Sequence, residues 1–152
     1  MPRIVREADV VWEGTISRGS GVVTATSSRA FELPITIASR VGDPEGKTSP
    51  EELLAAAHAS CFVTSLGGEL ARARTPPQRL EVHCTITMDE VEGIGHRIVS
   101  SVIVASGSVA GCDAAAFAQA AEAADAGCSF SALLKASATV TIEATLDDEG
   151  ES

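Results

Sequence analysis

Apolar positions along the chain change period several times, and the order of those periods sets the expected elements. Between residues 8 and 39 they come as short strand-like runs. Val10, Val11, Trp12 and Ile16 start one strand and residues 22–26 supply a second. Phe31, Leu33, Ile35 and Ile37 alternate with other residues over a third. Arg18-Gly19-Ser20-Gly21 reads as the turn between the first two, its glycines free to take positive φ. Consecutive strands with short turns predict an antiparallel meander. Residues 41–48 read as a loop. A helix start follows: Ser49 as N-cap, Pro50 at the first helical position and Glu52 three residues after the cap, the signature of a capping box. The helix is expected from Pro50 to about Arg72, ending before Thr75-Pro76-Pro77. Residues 53–68 are almost free of charge around the whole circumference, which predicts a central, buried helix.

Period two returns in residues 80–88, where Val82, Cys84, Ile86 and Met88 share a face, and a further strand is expected at 97–104. The acidic connection between them carries two glycines. Asp113 is placed to cap a second helix through an Ala-rich run to about Asp125, and Gly127 ends it. Residues 128–135 read as another short helical segment and 138–146 as a last strand. The acidic end, about 147–152, reads as a frayed solvated tail. The order βββ–α–ββ–αα–β is that of an α+β protein, and no repeat or boundary divides residues 1–152, so a single domain is expected.

Composition narrows the uses of such a domain. Only 3% of the 152 residues are aromatic, with no Tyr and one Trp, so the core must be built from Ala, Val, Leu and Ile. The net charge of −10 comes without any basic cluster, which argues against nucleic acid and against an anionic membrane surface. The N-terminus has no continuous apolar stretch of a secretory signal. The apolar region 53–66 is interrupted by His58, Ser60 and Thr64 and is too short and too polar to span a bilayer. A cytoplasmic location is the resulting expectation. There the four cysteines, Cys61, Cys84, Cys112 and Cys128, would be free thiols, with any disulfide transient. Four cysteines allow three complete pairings, and their number alone does not choose one.

Three stretches carry candidate chemistry. Residues 49–62, Ser-Pro-Glu-Glu-Leu-Leu-Ala-Ala-Ala-His-Ala-Ser-Cys-Phe, put Cys61 about three turns into the long helix. Cysteine attacks as thiolate, and a free thiol titrates near ~8.5. Burial raises that value, and the helix start is too distant to lower it. A reactive Cys61 therefore requires a cation from elsewhere; otherwise it is a small core residue. Ala126-Gly127-Cys128-Ser129 puts a second cysteine where one helix ends and another segment opens. Arg18, beyond Trp12-Glu13-Gly14, sits on a tight turn from which a guanidinium either enters a pocket or stays in solvent.

Taken together, these stretches closely resemble the osmotically inducible protein C (OsmC) and organic hydroperoxide resistance (Ohr) family, from residue 12 to about residue 141. His58 and the Arg-Gly-x-Gly turn are closer to the OsmC branch; the Ohr branch usually has a tyrosine at that position and a glycine pair before the arginine. Ser49 stands where the family often has asparagine, and Ser129-Phe130 replaces a common Pro-Val. The resemblance implies an OsmC-like fold, with antiparallel sheets around a long buried central helix in an intertwined homodimer. It implies a thiol-dependent peroxidase, without metal, haem or flavin, reducing organic hydroperoxides and hydrogen peroxide in oxidative-stress defence. Carried over residue by residue, Cys61 is peroxidatic and forms a sulfenic acid. Cys128 resolves it as a Cys61–Cys128 disulfide, Arg18 is the activating cation and Glu51 its orienting carboxylate. An external thiol, such as a dihydrolipoyl dithiol, would reduce the pair. The resemblance also implies that Arg18 reaches a Cys61 of the other subunit, beside a dry pocket lined by residues such as Phe62 and Phe130.

Spacing separates the two neighbouring acids. Glu51 lies ten residues before Cys61, nearly three turns, and so shares its side of the helix, whereas Glu52 suits the cap. His58, three residues before Cys61, could form a Cys–His pair or join Cys128 at a zinc ion. A thiolate served by arginine needs no such base and zinc wants four ligands, so His58 reads as a buried hydrogen-bonding residue. Cys84 is expected on a buried strand face and Cys112 in a loop, neither with a role. Two other uses of the same residues are a non-catalytic thiol redox sensor and a binding module for an apolar ligand.

Overall fold

Alternation in the N-terminal segment becomes a three-stranded antiparallel sheet in the order β1 (Ala8–Glu13), β2 (Ser20–Ala25), β3 (Glu32–Ile35). The structure, a computed structural model, describes residues 2–147, so residues 148–152 of the expected acidic tail lie outside the described residues. Contacts group the chain into two compact units, divided between Leu53 and Leu54. In the first unit, the reversal between β1 and β2 occupies residues 14–19 rather than 18–21. Gly14 supplies the positive φ, at 92°. Gly19 is required for closeness instead, since a Cβ there would lie 2.4 Å from the carbonyl oxygens of both Glu13 and Thr15. Ile16 falls in this turn and is exposed, and Gly21 belongs to β2.

The third strand also ends earlier than its alternation suggests. Thr36 Oγ1 accepts the Ser39 N–H and Ser39 Oγ accepts the Thr36 N–H, both at 3.0 Å. This reciprocal cap turns residues expected as strand and loop into a short helix, α1 (Ile37–Val41). Thr48 then returns to the sheet, its N–H bonded to the Pro34 carbonyl at 3.0 Å.

The long helix, α2 (Pro50–Arg72), has the expected bounds. Ser49 Oγ accepts the Glu52 N–H at 3.2 Å, while the Glu52 carboxylate accepts from the Thr48 hydroxyl at 2.8 Å. Within this chain its burial is confined to one stripe, His58, Phe62, Leu66 and Leu70, and Ala56, Ser60 and Thr64 are exposed. By length and composition alone α2 is long and apolar enough to cross a membrane, which the narrower 53–66 window is not. Its buried stripe gives that apolarity a use inside the fold.

In the second unit, β4 (Arg79–Val91) and β5 (Gly95–Ser108) form an antiparallel hairpin with a register shift between Thr87 and Met88. Two helices follow, α3 (Ala114–Gly127) and α4 (Ser129–Lys135), before β6 (Thr139–Leu146) returns alongside β5. That last pairing is parallel, a departure from the all-antiparallel expectation. Its cause is the intervening helical crossover, which brings the chain back to the starting end of the sheet. Phe117, Ala120, Ala121 and Ala124 form the buried face of α3, spaced as one helical stripe. They share a core with Phe62, Leu66 and Leu70 of α2 and Ile103 and Ala105 of β5, against which Leu80, Val82, Ile142 and Ala144 pack.

Candidate active site

Cys128 occupies the joint between α3 and α4, in an extended conformation (φ −83°, ψ 115°). Its N–H closes α3 on the Asp125 carbonyl at 3.2 Å, and its sulfur caps α4 by accepting the Ser131 N–H at 3.4 Å. One sulfur thus serves as a helix cap, and this fixes its direction. Cys61 projects from α2, half-buried, three residues beyond His58. The Cys128 thiol donates to Cys61 Sγ at 3.1 Å, and the Ser129 hydroxyl lies 3.9 Å from the same atom. Both are free thiols. A disulfide needs an approach to about 2.05 Å, so the pair is about one ångström from bonding.

The two thiols are polarised in opposite senses. Burial pushes Cys61 up. The Phe130 N–H, the Cys128 thiol and the Ser129 hydroxyl and N–H outweigh it, and the Cys61 pKa falls below the ordinary thiol value. Burial also pushes Cys128 up, and the proton it donates to Cys61 adds to the rise against donors from Ser131 and Phe130. Of the two, Cys61 is therefore the thiol that gives up its proton more readily. Ser129, a departure from the family's usual proline, contributes both an N–H and a hydroxyl; a proline has neither.

His58 is fully buried and satisfied on both ring nitrogens, Nδ1 at 2.6 Å from Ser101 Oγ and Nε2 at 2.8 Å from Ser131 Oγ. Burial lowers its pKa, Asp125 raises it and Lys135 lowers it, for a net decrease that keeps the ring neutral. Cys84 Sγ lies 3.3 Å from Ser101 Oγ, continuing the same network into β4. Among the described residues no group of three or more His, Cys, Asp or Glu side chains is arranged to hold a metal ion. Phe62 is wholly buried in the core, which removes it from the expected pocket lining, and Phe130 is half-buried.

Within the first unit the two other expected site residues are not paired with each other. Glu51 holds Arg40, whose Nε lies 2.7 and 3.2 Å from its two carboxylate oxygens. Arg18 is exposed in the β1–β2 turn, its N–H bonded to Thr15 Oγ1 at 3.3 Å. Arg40, Ser101 and Ser131 were not singled out from sequence, and Ser129 was marked only as a departure from the family pattern. Two of them carry a signal: Ser131 stands at the third position after Cys128, and Ser101 interrupts the apolar run of β5.

Known proteins resemble this chain in sequence and in fold. The sequence profile of the OsmC-like protein family matches residues 42–143. Peroxiredoxin OsmC of Escherichia coli is 34% identical over 137 residues, covering 90% of this chain and 94% of that protein. Among solved structures, the organic hydroperoxide resistance protein OhrB of Bacillus subtilis superposes with a TM-score of 0.69 at 19% identity, covering 91% of this chain and 98% of that one. An OsmC-like protein of unknown function from Vibrio cholerae reaches a TM-score of 0.77 at 14% identity, covering 94% and 100%.

Proposed function

Because the chain belongs to the OsmC-like protein family, we propose that it is a thiol-dependent peroxidase that reduces organic hydroperoxides and hydrogen peroxide through Cys61 and Cys128. The observation that carries this reading is the 3.1 Å contact in which Cys128 donates to Cys61. The Cys61 thiolate attacks one peroxide oxygen, the O–O bond breaks, and the departing alkoxide takes a proton to leave as an alcohol. Cys61 is left as a sulfenic acid. Cys128 then attacks that sulfur, the S–O bond breaks, and water departs as the disulfide closes. An external thiol returns the pair to two thiols and is itself oxidised. All of this chemistry runs on cysteine sulfur. Free thiols are the state a reducing cytoplasm maintains, and the enzyme is assigned there.

A guanidinium beside Cys61 would stabilise the thiolate and the charge developing on the leaving oxygen. Family resemblance assigns this to Arg18, oriented by Glu51. The Arg40–Glu51 ion pair favours a second reading, in which Arg40 is the cation that Glu51 orients. The homodimer belongs to the same proposal. Val10, Val11 and Val22 are exposed on the first sheet, and α2 exposes its Ala56, Ser60 and Thr64 strip, apolar and small-residue surface that a second chain would cover.

Steady-state peroxide consumption with a thiol reductant tests these assignments together. Wild type is expected to turn over many times. Cys61→Ser should fall to background, and Cys128→Ser should react once and then accumulate sulfenic or over-oxidised Cys61. Loss of the activating cation should cost about a hundredfold or more in rate, so Arg18→Ala and Arg40→Ala identify which arginine acts. A single turnover by wild type would identify a redox sensor instead. Apolar-ligand binding that survives Cys61→Ser, without peroxide consumption, would identify a binding module.

A further inference from the structure

The network behind Cys128 takes one direction once its sulfur is the acceptor of the Ser131 hydroxyl. Cys128 spends its only proton on Cys61, so its sulfur can only accept from the opposite side. There Ser131 addresses it twice, through its N–H at 3.4 Å and through its hydroxyl. A Ser131 hydroxyl that donates to sulfur must accept from His58, which puts the ring proton on Nε2. The neutral ring then accepts at Nδ1 from Ser101, and Ser101 in turn accepts from the Cys84 thiol. Every link donates toward Cys128, in a chain running Cys84, Ser101, His58, Ser131, Cys128. His58, Ser101 and Ser131 are all fully buried, so water does not compete for these bonds.

We infer that His58 is a positioning residue for the resolving step: acting through Ser131, it stabilises the thiolate that Cys128 must become before that sulfur attacks oxidised Cys61. The inference rests on the peroxidase reading and adds to it. In the resting state the Cys128 proton points at Cys61; after oxidation the same proton faces the hydroxyl of the sulfenic acid. As the S–S bond forms and the S–O bond breaks, that proton leaves with the hydroxyl as water. Giving up that proton leaves the charge on the Cys128 sulfur until the S–S bond takes it up, and the Ser131 hydroxyl, held by His58, is already aimed at that sulfur. Cys128 is the link of this chain that meets Cys61, and the hydrogen bonds of Ser131 and His58 run to Cys128 and to each other, so their effect is expected on disulfide closure more than on peroxide attack.

Rapid mixing of the reduced protein with one equivalent of tert-butyl hydroperoxide, acid-quenched and read by mass, follows both steps in one experiment. Sulfenic acid formation is the internal reference for disulfide closure. In Ser131→Ala and His58→Leu the ratio of closure rate to oxidation rate should drop about ten- to a hundredfold, the range for a lost hydrogen bond to a charged group. His58→Gln keeps an N–H facing Ser131 and should recover most of the ratio, which a merely space-filling histidine would not predict. Damage to the fold would instead slow both steps together. Should His58→Leu fail to fold, Ser131→Ala decides, because it deletes one hydroxyl and keeps the backbone donor. An unchanged ratio in Ser131→Ala overturns the inference. Failure of the peroxidase reading is distinguishable, since no sulfenic acid would then form on Cys61 even in wild type.

Discussion

Two thiols in contact share their protons unequally here, and the proposed order of action rests on that inequality. Cys61 collects donors from Phe130, Cys128 and Ser129, whereas Cys128 is buried and gives its proton away. The reactive form of cysteine is the anion, so a lowered pKa keeps Cys61 reactive to a lower pH than an ordinary thiol. Its alkylation rate by iodoacetamide should hold constant above that lowered pKa and fall only as pH drops through it. Ser129→Ala removes one of the donors, so the midpoint should move up, and the rate at neutral pH should fall about two- to tenfold. A midpoint that stays put or moves down in Ser129→Ala would show that the serine hydroxyl does not act on the thiolate.

Elements were legible in sequence where one residue type can do only one thing. Pro50 after Ser49 opens α2 and Pro76-Pro77 stop it, and Asp113 caps α3 through the Ala116 N–H at 2.8 Å. The period-two pattern of β4 survives, because Leu80, Val82, Cys84, Ile86 and Met88 are each half-buried between exposed neighbours and the first three pack on the core. What was not legible depended on chain-distant partners or on backbone groups. The parallel pairing of β6 follows from a crossover, which no local pattern encodes. The α1 helix hid behind a cap made by Ser39, where glutamate or glutamine is the usual sign. The two cysteines stood out because family-like motifs surround them. The donors that tune them did not, since the Phe130 N–H has no sequence signature and Ser101 and Ser131 lie 43 and 73 residues from His58. Arg40 escaped for the same reason: it comes to Glu51 only because α1 exists.

For the whole molecule the open question is what covers the apolar surface that one chain leaves bare. Val11 and its cross-strand partner Val22 are both exposed on one face of the first sheet, and Val10 is exposed on the other face, where its partner Val23 is buried. The exposed strip of α2 adds a close-packing surface of small residues. A homodimer is the expected state in sedimentation, and a stable, fully active monomer would refute it. If Arg18 serves the partner's thiolate, exchange of Arg18→Ala subunits with Cys61→Ser subunits should restore one working site per heterodimer; no recovery would place the arginine in the same chain or elsewhere. Access from solvent has a further consequence. Cys128 is 1% exposed, while Cys61 is half-buried. The oxidised pair is therefore a one-sided target. In the proposed disulfide an incoming thiol is expected to land on Cys61 and expel Cys128, whose departing charge would fall on the N–H groups of Ser131 and Phe130 already directed at it. Reduction thus has a vector, entering at α2 and leaving at α4. A monothiol adduct trapped midway should weigh in on the Cys61 peptide, and an adduct on Cys128 would reverse the vector.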